Sequence, residues 1–197
     1  MWRKNYQEYE LKSINYSKQG YILSETKEVT EYIRDLPKNY RVLRLKYKCA
    51  DPDKHYWNMD RICVYGKGNE PICMFDRNYS GFVAGCYVKQ DGKEYWITSA
   101  NYQCIAIVNL TDGVVKQYVD IDDKQHGGGF CPIAIDWDES VNKLYVDGCI
   151  WGCPYETMIC EDIDFENPIE AFNNAKWESD YDDEEYEPDD DVECKLD

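Results

Sequence analysis

The sequence predicts a mostly β protein whose antiparallel sheets resemble a partial or open β-propeller, with a β-sandwich as the alternative, a short N-terminal helix and a disordered acidic tail. Three observations lead to this fold class. Aromatic residues make up 15% of the chain, with 18 Tyr and 6 Trp, and such residues favour half-buried sheet faces. From Tyr40 onward apolar and polar residues alternate, which is typical of strands. Turn sequences such as Gln-Asp-Gly and Thr-Asp-Gly separate these segments at short spacing.

The N-terminal segment, residues 1–38, is mixed and polar and is predicted to be an extension of the main domain. Within it, Ser24 to Leu36 is predicted to form a short helix. Ser24 can cap this helix and Pro37 ends it. Its apolar face would consist of Val29, Tyr32, Ile33 and Leu36.

Residues 39–177 are predicted to form the β domain. In residues 40–48 the apolar side chains Leu43, Leu45 and Tyr47 are expected on the buried face, opposite a mainly basic open face with Arg44. Hairpins are expected for 81–89 with 94–100, for 103–110 with 114–121, and for 131–137 with 143–150. Further strands are predicted at 61–66, 71–76 and 157–163, and a short helix at 167–177 with Pro168 in its first turn.

A faint internal repeat suggests the propeller-like arrangement. The sequence QDGKEYWI (90–97) resembles SVNKLYVD (140–147), which aligns Lys93 with Lys143 and Tyr95 with Tyr145. Four short strands in about 40–50 residues is the spacing of a propeller blade. Residues 40–165 provide about three such units, which is fewer than a closed ring usually needs.

The charge of the chain is concentrated at its C-terminal end. Residues 178–197 hold 12 acidic residues and one Lys. They therefore contribute most of the formal net charge of the whole chain, which is −17. We predict that this acidic tail is disordered. A net negative chain disfavours nucleic-acid partners and anionic membrane surfaces, because both require Lys and Arg.

The N-terminal sequence and the cysteine content bear on location. The first 20 residues have no apolar core of a signal peptide, and no apolar stretch is long enough to span a membrane. We therefore predict an intracellular protein, cytoplasmic or in a virion, and not a secreted one. The 10 Cys are then expected to be mainly buried, reduced thiols.

The sequence KQHGGGFCPIAIDW (124–137) resembles the loop that forms the oxyanion hole of some esterases. Such enzymes also need a Ser in a G-x-S-x-G turn and a downstream His. The chain has no G-x-S-x-G, and its second His is His55, which precedes His126. The hydrolase interpretation therefore fails, and the glycines are expected to form a turn before the next strand.

Cys149 and Cys153 are the cysteine pair that suggests other chemistry. Cys131, Cys160 and His126 can lie near them and complete the four N or S ligands of a tetrahedral zinc site, although a single C-x3-C spacing is a weak zinc signal. Alternatively, Cys149 and Cys153 form a disulfide, or Cys131 or Cys149 is a nucleophile activated by His126, with Asp136 or Asp147 orienting the imidazole. Buried thiols are the expectation, so no cofactor is predicted and zinc is the alternative.

The segment DGCIWGCPYE (147–156) is the strongest candidate for a binding site. Trp151 and Tyr155 have broad apolar faces with polar tips, and Glu156 can accept hydrogen bonds. We predict a rigid packed loop or an aromatic recognition surface, with His126, Trp151, Tyr155 and Glu156 as its binding residues.

Residues 127–164 resemble a segment of small uncharacterised β-rich microbial proteins. The residues that carry the resemblance are a G-F-C loop at Gly129–Cys131 and the motif D-G-C-x-W-x-x-P-Y-E from Asp147 to Glu156. The resemblance implies a propeller-blade-like fold and no particular activity. The Tyr-, Asn- and Asp-rich composition with an acidic tail also resembles proteins of large DNA viruses.

The sequence therefore predicts a non-enzymatic interaction or structural protein, which binds a protein partner through aromatic loops and an acidic surface, as part of a viral or other assembly. The alternative is a metal-binding or cysteine-dependent protein centred on Cys149, Cys153 and His126.

Overall fold

The computed structural model describes residues 5–13, 16–51, 59–77, 85–101, 104–121, 130–149 and 155–179. Within these ranges strands dominate, and the α-helical part is a single segment of 5 residues. The prediction of a mostly β protein with antiparallel sheets is therefore confirmed.

The strands and the helix are numbered in chain order. They are β1 Tyr6–Glu10, β2 Tyr21–Glu28, β3 Ile33–Arg34, β4 Arg41–Cys49, β5 Met59–Tyr65, β6 Pro71–Arg77, β7 Gly85–Gln90, β8 Lys93–Thr98, β9 Cys104–Asn109, β10 Val114–Asp120, β11 Cys131–Asp138, β12 Lys143–Cys149, β13 Tyr155–Glu161, α1 Ile169–Asn173 and β14 Lys176–Ser179. Short 3₁₀ turns occupy Tyr16–Gln19 and Thr30–Tyr32.

These strands form three sheets. Sheet 1 has the order β2-β4-β5-β6, sheet 2 the order β1-β10-β9-β8-β7-β3, and sheet 3 the order β11-β12-β13-β14. The short strand β3 pairs with β7 in parallel. The other paired strands are antiparallel. Each sheet thus contains a run of four strands that follow one another closely in the chain.

Sheet 2 is the middle layer of the molecule because both of its faces are buried. One face packs on sheet 3 in a core that includes Ile107 and Leu144. The other face packs on sheet 1 in a core that includes Phe75 and Trp96. All residues of β9 are buried, as expected for a strand covered on both sides. The stack fits both the partial-propeller prediction and the sandwich alternative, and the choice between them stays a prediction.

The three predicted hairpins are confirmed. Strands β7 and β8, β9 and β10, and β11 and β12 are antiparallel neighbours. At the first hairpin Asp91 and Gly92 have φ values of 51° and 80°, as a two-residue turn with two left-handed positions requires. The Gln-Asp-Gly sequence therefore indicated both the hairpin and its turn.

The predicted helix from Ser24 to Leu36 is wrong. These residues form the end of β2, a 3₁₀ turn at Thr30–Tyr32 and the short strand β3. Val29 and Ile33 do reach the core, at 3% and 5% exposure, whereas Tyr32 stays exposed. Strand β2 pairs with β4 over seven register positions, and this long-range pairing outweighs the helical spacing of the apolar residues.

The predicted orientation of residues 40–48 is also wrong. Val42 is fully buried in the core with sheet 2, while Leu43, Leu45 and Tyr47 are half-buried on the outer face of sheet 1. Arg44 lies on the inner side because its guanidinium pairs with the carboxylate of the buried Asp60 at 2.6 Å. A paired guanidinium can occupy an inner face that an unpaired one would avoid.

The chain ends contribute to the sheets. Strand β1 pairs with β10, and β2 with β4, so the segment predicted as an extension adds strands to two sheets.

The helix predicted at 167–177 is shorter than expected, because α1 spans Ile169–Asn173 and β14 follows. Pro168 precedes α1 as its N-cap residue, and Phe172 is fully buried. The predicted acidic tail lies outside the described residues from 180 onward.

The two copies of the faint repeat occupy equivalent positions. Lys93 and Lys143 each begin the second strand of a hairpin, after a turn with a left-handed residue. Each lysine pairs with a carboxylate, Lys93 with Glu166 at 2.9 Å and Lys143 with Glu161 at 2.7 Å. The repeat thus corresponds to a recurring hairpin whose second strand begins with a lysine.

Within the residues that the structure describes, none of the helices has the length and the apolar character needed to span a bilayer.

Candidate interaction surface

The predicted binding residues lie at the start of β13 where they are described. Tyr155 begins this strand on the outer face of sheet 3 with 54% exposure. Glu156 is the next residue, so strand alternation places it on the opposite face, where it is half-buried opposite Gly148. His126, Trp151 and Cys153 lie outside the described residues. Of the predicted binding residues that the structure describes, Tyr155 is therefore the one that is exposed to a partner.

The outer face of sheet 3 is strongly acidic. The alternation of β11 sends Ile135 into the core and leaves Asp136 and Asp138 outside. With the adjoining turns and α1, this surface holds nine carboxylates and two lysines, and we call it the acidic face: Asp136, Asp138, Glu139, Asp147, Glu161, Asp162, Asp164, Glu170, Glu178, Lys143 and Lys176.

The two lysines of the acidic face are both engaged by one carboxylate. Glu161 contacts Lys143 at 2.7 Å and Lys176 at 2.6 Å. Hydrogen bonds from the two lysines lower the pKa of Glu161 to about 2. Glu161 is therefore an anion at any physiological pH, and it forms ion pairs with both lysines of the acidic face.

Four more carboxylates have partners, and one of them, Asp164, accepts from the side chain of Asn167 at 3.0 Å and from the backbone N–H of Glu166 at 2.9 Å. Arg34 forms an ion pair with Asp136, and the hydroxyl of Thr157 donates to Asp147 at 2.7 Å. The side chain and backbone of Ser140 donate to Asp138, which lowers the pKa of this carboxyl. The exposed Glu139, Glu170 and Glu178 form no ion pair with another described residue. The surface thus retains carboxylates that can pair with cations from outside.

Two open concavities lie side by side on the acidic face. They adjoin because Tyr145 of the first is the direct cross-strand neighbour of Ile159 of the second. The first, of about 680 Å³, is lined by Asp136, Trp137, Asp138, Glu139, Ser140 and Tyr145. The second, of about 430 Å³, is lined by Ile159, Glu161, Asp162, Asp164, Asn167, Glu170, Ala171, Asn174 and Lys176. Acidic side chains next to an aromatic ring are suited to cationic side chains.

Cys149 has another cysteine as its direct cross-strand neighbour. In the β11–β12 hairpin it faces Cys131 directly. A bulge between Pro132 and Ala134 shifts the register by one residue at this end of the hairpin. Cys131 is buried and Cys149 is half-buried, and both are thiols.

The described cysteines otherwise support the prediction of buried thiols. Burial raises the pKa of Cys73, Cys86 and Cys160 to about 12. Among the residues that the structure describes, no group of three or more His, Cys, Asp or Glu side chains is placed to hold a metal ion. The zinc, Cys149–Cys153 disulfide and Cys–His hypotheses stay predictions, because Cys153 and His126 are not described.

Sequence reasoning proposed Tyr155 and an acidic surface, but it did not place that surface on sheet 3. The alternation of Ile135, Asp136, Trp137 and Asp138 was a signal for it, since it predicts one apolar and one acidic face of β11. The contribution of α1 and its flanking loops depends on tertiary contacts, such as those of α1 with β13.

Comparison with known proteins gives one relative and no family. The chain is 28% identical over 132 residues to "Uncharacterized protein R762" of Acanthamoeba polyphaga mimivirus, and the match covers 66% of this chain and 49% of that protein. The chain therefore spans about half the length of this relative. No family model matches, and no solved structure matches. The similarity to a giant-virus protein favours a viral origin, in line with the resemblance in composition to proteins of large DNA viruses.

Proposed function

We propose that this protein is a non-enzymatic interaction or structural component of a viral assembly, and that it binds a basic segment of another protein through the acidic face. The observation that supports this most is the charge of the acidic face, nine carboxylates against two lysines. Both lysines contact Glu161 and Arg34 pairs with Asp136, so seven carboxylates remain without an ion pair to another described residue.

The concavities of the acidic face fit protruding side chains of a partner better than a flat partner surface. Its two concavities receive Lys or Arg side chains, with Tyr145 and Trp137 beside the first. A cation near such a ring gains about 0.5–1 kcal/mol at an exposed site. Tyr155 provides a further exposed ring on the same sheet.

The acidic tail continues this surface in the sequence. Strand β14 ends at Ser179 at the edge of sheet 3, and the following residues are mostly Asp and Glu. A partner that is basic over more than a few residues can therefore interact with the acidic face and the tail together. The same charge repels phosphates, so the proposed partner is a protein and not a nucleic acid or a membrane. The proposed location is intracellular.

Binding of a fluorescein-labelled deca-lysine peptide to the full chain tests the position of the basic-segment site. The variant Glu139→Gln/Glu170→Gln/Glu178→Gln removes three exposed charges from the acidic face. At about 0.3–0.5 kcal/mol per exposed charge pair, we expect the dissociation constant to rise about fivefold to tenfold. Fluorescence anisotropy at low ionic strength measures it, and added salt is expected to weaken binding.

A matched variant removes the same charge elsewhere. Glu25→Gln/Glu31→Gln/Glu70→Gln changes three exposed carboxylates in or beside sheet 1. We expect less than a twofold change. Equal weakening by both variants would mean that the peptide senses net charge, which contradicts a binding site on the acidic face. In a chain truncated after Ser179, Glu139→Gln/Glu170→Gln/Glu178→Gln should still raise the dissociation constant. This truncation separates the contribution of the acidic face from that of the acidic tail.

The role in a viral assembly has its own test. Peptides of this chain should be present in purified particles of the virus that encodes it, in constant ratio to a capsid protein, as quantified by mass spectrometry. Absence from particles would refute the structural role and leave peptide binding by the acidic face untouched.

The second candidate function is a metal-binding or cysteine-dependent protein centred on Cys149, Cys153 and His126. The observation that favours it is the position of Cys131 directly opposite Cys149, which adds a thiol beside this predicted group. Metal analysis of the purified chain together with thiol counting tests it. Stoichiometric zinc that is lost in Cys149→Ser would favour this candidate, and metal-free protein with ten reactive thiols would refute the zinc site.

A further inference from the structure

The cross-strand pair Cys131 and Cys149 is unlike the other cysteines that the structure describes. Direct neighbours on antiparallel strands have Cα atoms about 4.5–5.5 Å apart, which falls inside the range of about 4.4–6.8 Å found in disulfides. The other described cysteines face a different residue type across the strand, for example Cys63 opposite Met74, Cys73 opposite Val64 and Cys160 opposite Leu144.

The two thiols differ in access. Cys149 is half-buried at the end of β12, and Cys131 is 6% exposed at the start of β11. A reagent from solution therefore meets Cys149 first, and Cys131 lies beside it to complete a second step.

We propose that Cys131 and Cys149 are a redox-reactive pair that forms a cross-strand disulfide when the protein meets a small-molecule disulfide such as oxidised glutathione. The Cys149 thiolate attacks one sulfur of the reagent and forms a mixed disulfide, and one glutathione thiolate leaves. The Cys131 thiolate then attacks the sulfur of Cys149, and the second glutathione leaves. The protein loses two electrons and two protons, and the reagent is reduced to two thiols.

Cys104 is a described competitor, because Cys131 influences its pKa electrostatically. Its sulfur, however, lies in its own turn, where it accepts from the backbone N–H of Asn101 at 3.1 Å. Burial raises the pKa of Cys104 to about 11, so few of its thiols ionise at neutral pH. Geometry and reactivity therefore both favour Cys149 as the partner of Cys131.

The disulfide has a structural consequence for the edge of sheet 3. Strand β11 is one of the two edge strands of this sheet, and the pair lies at the end of the hairpin opposite its turn. The bond therefore ties the free end of β11 to β12. Cys149 is the direct cross-strand neighbour of Cys131 on β11 and of the exposed Tyr155 on β13. Oxidation therefore stiffens the sheet beside the acidic face.

Thiol counting and peptide mapping test the proposal on the full chain. The reduced protein has ten cysteines, and incubation with oxidised glutathione followed by denaturation is expected to leave eight titratable thiols. Trypsin cuts after Lys143, the first residue of β12, so mass spectrometry under non-reducing conditions should show the Cys131 peptide linked to the peptide that contains Cys149. Glutathione should reverse the link.

Serine variants assign the pair and the order of the steps. The linked peptides should persist in Cys104→Ser and Cys153→Ser and disappear in Cys131→Ser and Cys149→Ser. In Cys131→Ser, Cys149 should carry one glutathione, because the second step has no thiol. Linked peptides that persist in Cys149→Ser would overturn the proposal. So would a wild-type chain that keeps ten thiols while Cys131→Ser takes up glutathione.

Discussion

Replacing Glu94 by Gln should loosen the contact between sheets 1 and 2. The carboxylate of Glu94, in β8, accepts two short hydrogen bonds. The hydroxyl of Tyr40 donates to Oε2 at 2.5 Å and that of Tyr87 to Oε1 at 2.5 Å. Tyr40 directly precedes β4 of sheet 1, whereas Tyr87 belongs to sheet 2. Glu94 therefore joins the two layers through charge-assisted bonds.

The size of the effect follows from the change in hydrogen-bond type. A hydrogen bond to a charged group contributes about 1.5–3 kcal/mol and a neutral one about 1 kcal/mol. Glu94 is half-buried, so water competes and the lower part of this range applies. For two bonds the expected loss is about 1–2 kcal/mol of unfolding free energy. In a chain of this size that corresponds to a fall in Tm of about 3–6 °C.

The loss should depend on pH. The hydrogen bonds from Tyr40 and then Tyr87 lower the pKa of Glu94. A carboxyl with a lowered folded-state pKa stabilises the protein above its unfolded pKa, about 4.3 for Glu. This stabilisation is lost as the pH falls through the folded value. The gap between the wild type and Glu94→Gln should therefore be full at neutral pH and should shrink in acid below about pH 4.

Urea denaturation followed by tryptophan fluorescence measures this gap. The chain has 6 Trp, of which Trp96 is fully buried between sheets 1 and 2. Glu139→Gln, in an exposed turn, is the control and should change stability by less than about 0.5 kcal/mol. A gap that is equal at neutral and acid pH, or a control that loses as much as Glu94→Gln, would refute the reasoning.

Two further predictions concern packing, and thermal unfolding measures both. Gly85 has φ of 126° and a Cβ there would collide with the backbone carbonyl of Ile97, so Gly85→Ala should cost more than about 3 kcal/mol. Gly92→Ala, with no atom within 4 Å of the new Cβ, should cost about 1 kcal/mol, and similar losses at both positions would contradict the collision. Leu144 is fully buried between sheets 2 and 3, so Leu144→Ala should cost about 2–5 kcal/mol. The exposed Val141→Ala should change little, and a small loss for Leu144→Ala would argue against this core.

Strands β4 to β13 were predictable because their information is local, whereas β14 begins within the segment predicted as a helix. Period-two alternation and turn sequences such as Asp91-Gly92 are both read from a few neighbouring residues. The segment around Val29 and Ile33 failed for the opposite reason. Its apolar spacing suits a helix, while the partner that makes β2 a strand, β4, follows it after more than ten residues. Long-range pairing of this kind decides the state of an ambiguous segment and is not visible in its own sequence.

The candidate site was partly predictable. Tyr155 was proposed as an aromatic residue with a polar tip, in either a packed loop or a recognition surface, and the structure places it on the surface with 54% exposure. The pairing of Cys131 with Cys149 was not predictable, because a regular hairpin continued from Ile135 opposite Val146 would place Pro132 opposite Cys149. The extra residue Ile133 forms a bulge and moves Cys131 into that position. A bulge is set by the backbone geometry of the sheet and leaves no specific composition signal.

The acidic face is difficult to explain by folding alone. Outer positions of sheet 3 contribute little to the core, so their side chains are free to vary, and mixed charges would keep the protein soluble. Like charges gathered on one surface repel one another and destabilise the folded state, and here Glu139, Glu170 and Glu178 add to that repulsion without an ion pair to another described residue. A cost of this kind is offset when a cationic partner binds. If the acidic face has this role, Glu139→Gln/Glu170→Gln/Glu178→Gln should raise the Tm of the isolated protein while it weakens deca-lysine binding. A variant that loses both stability and binding would show that these carboxylates serve the fold instead.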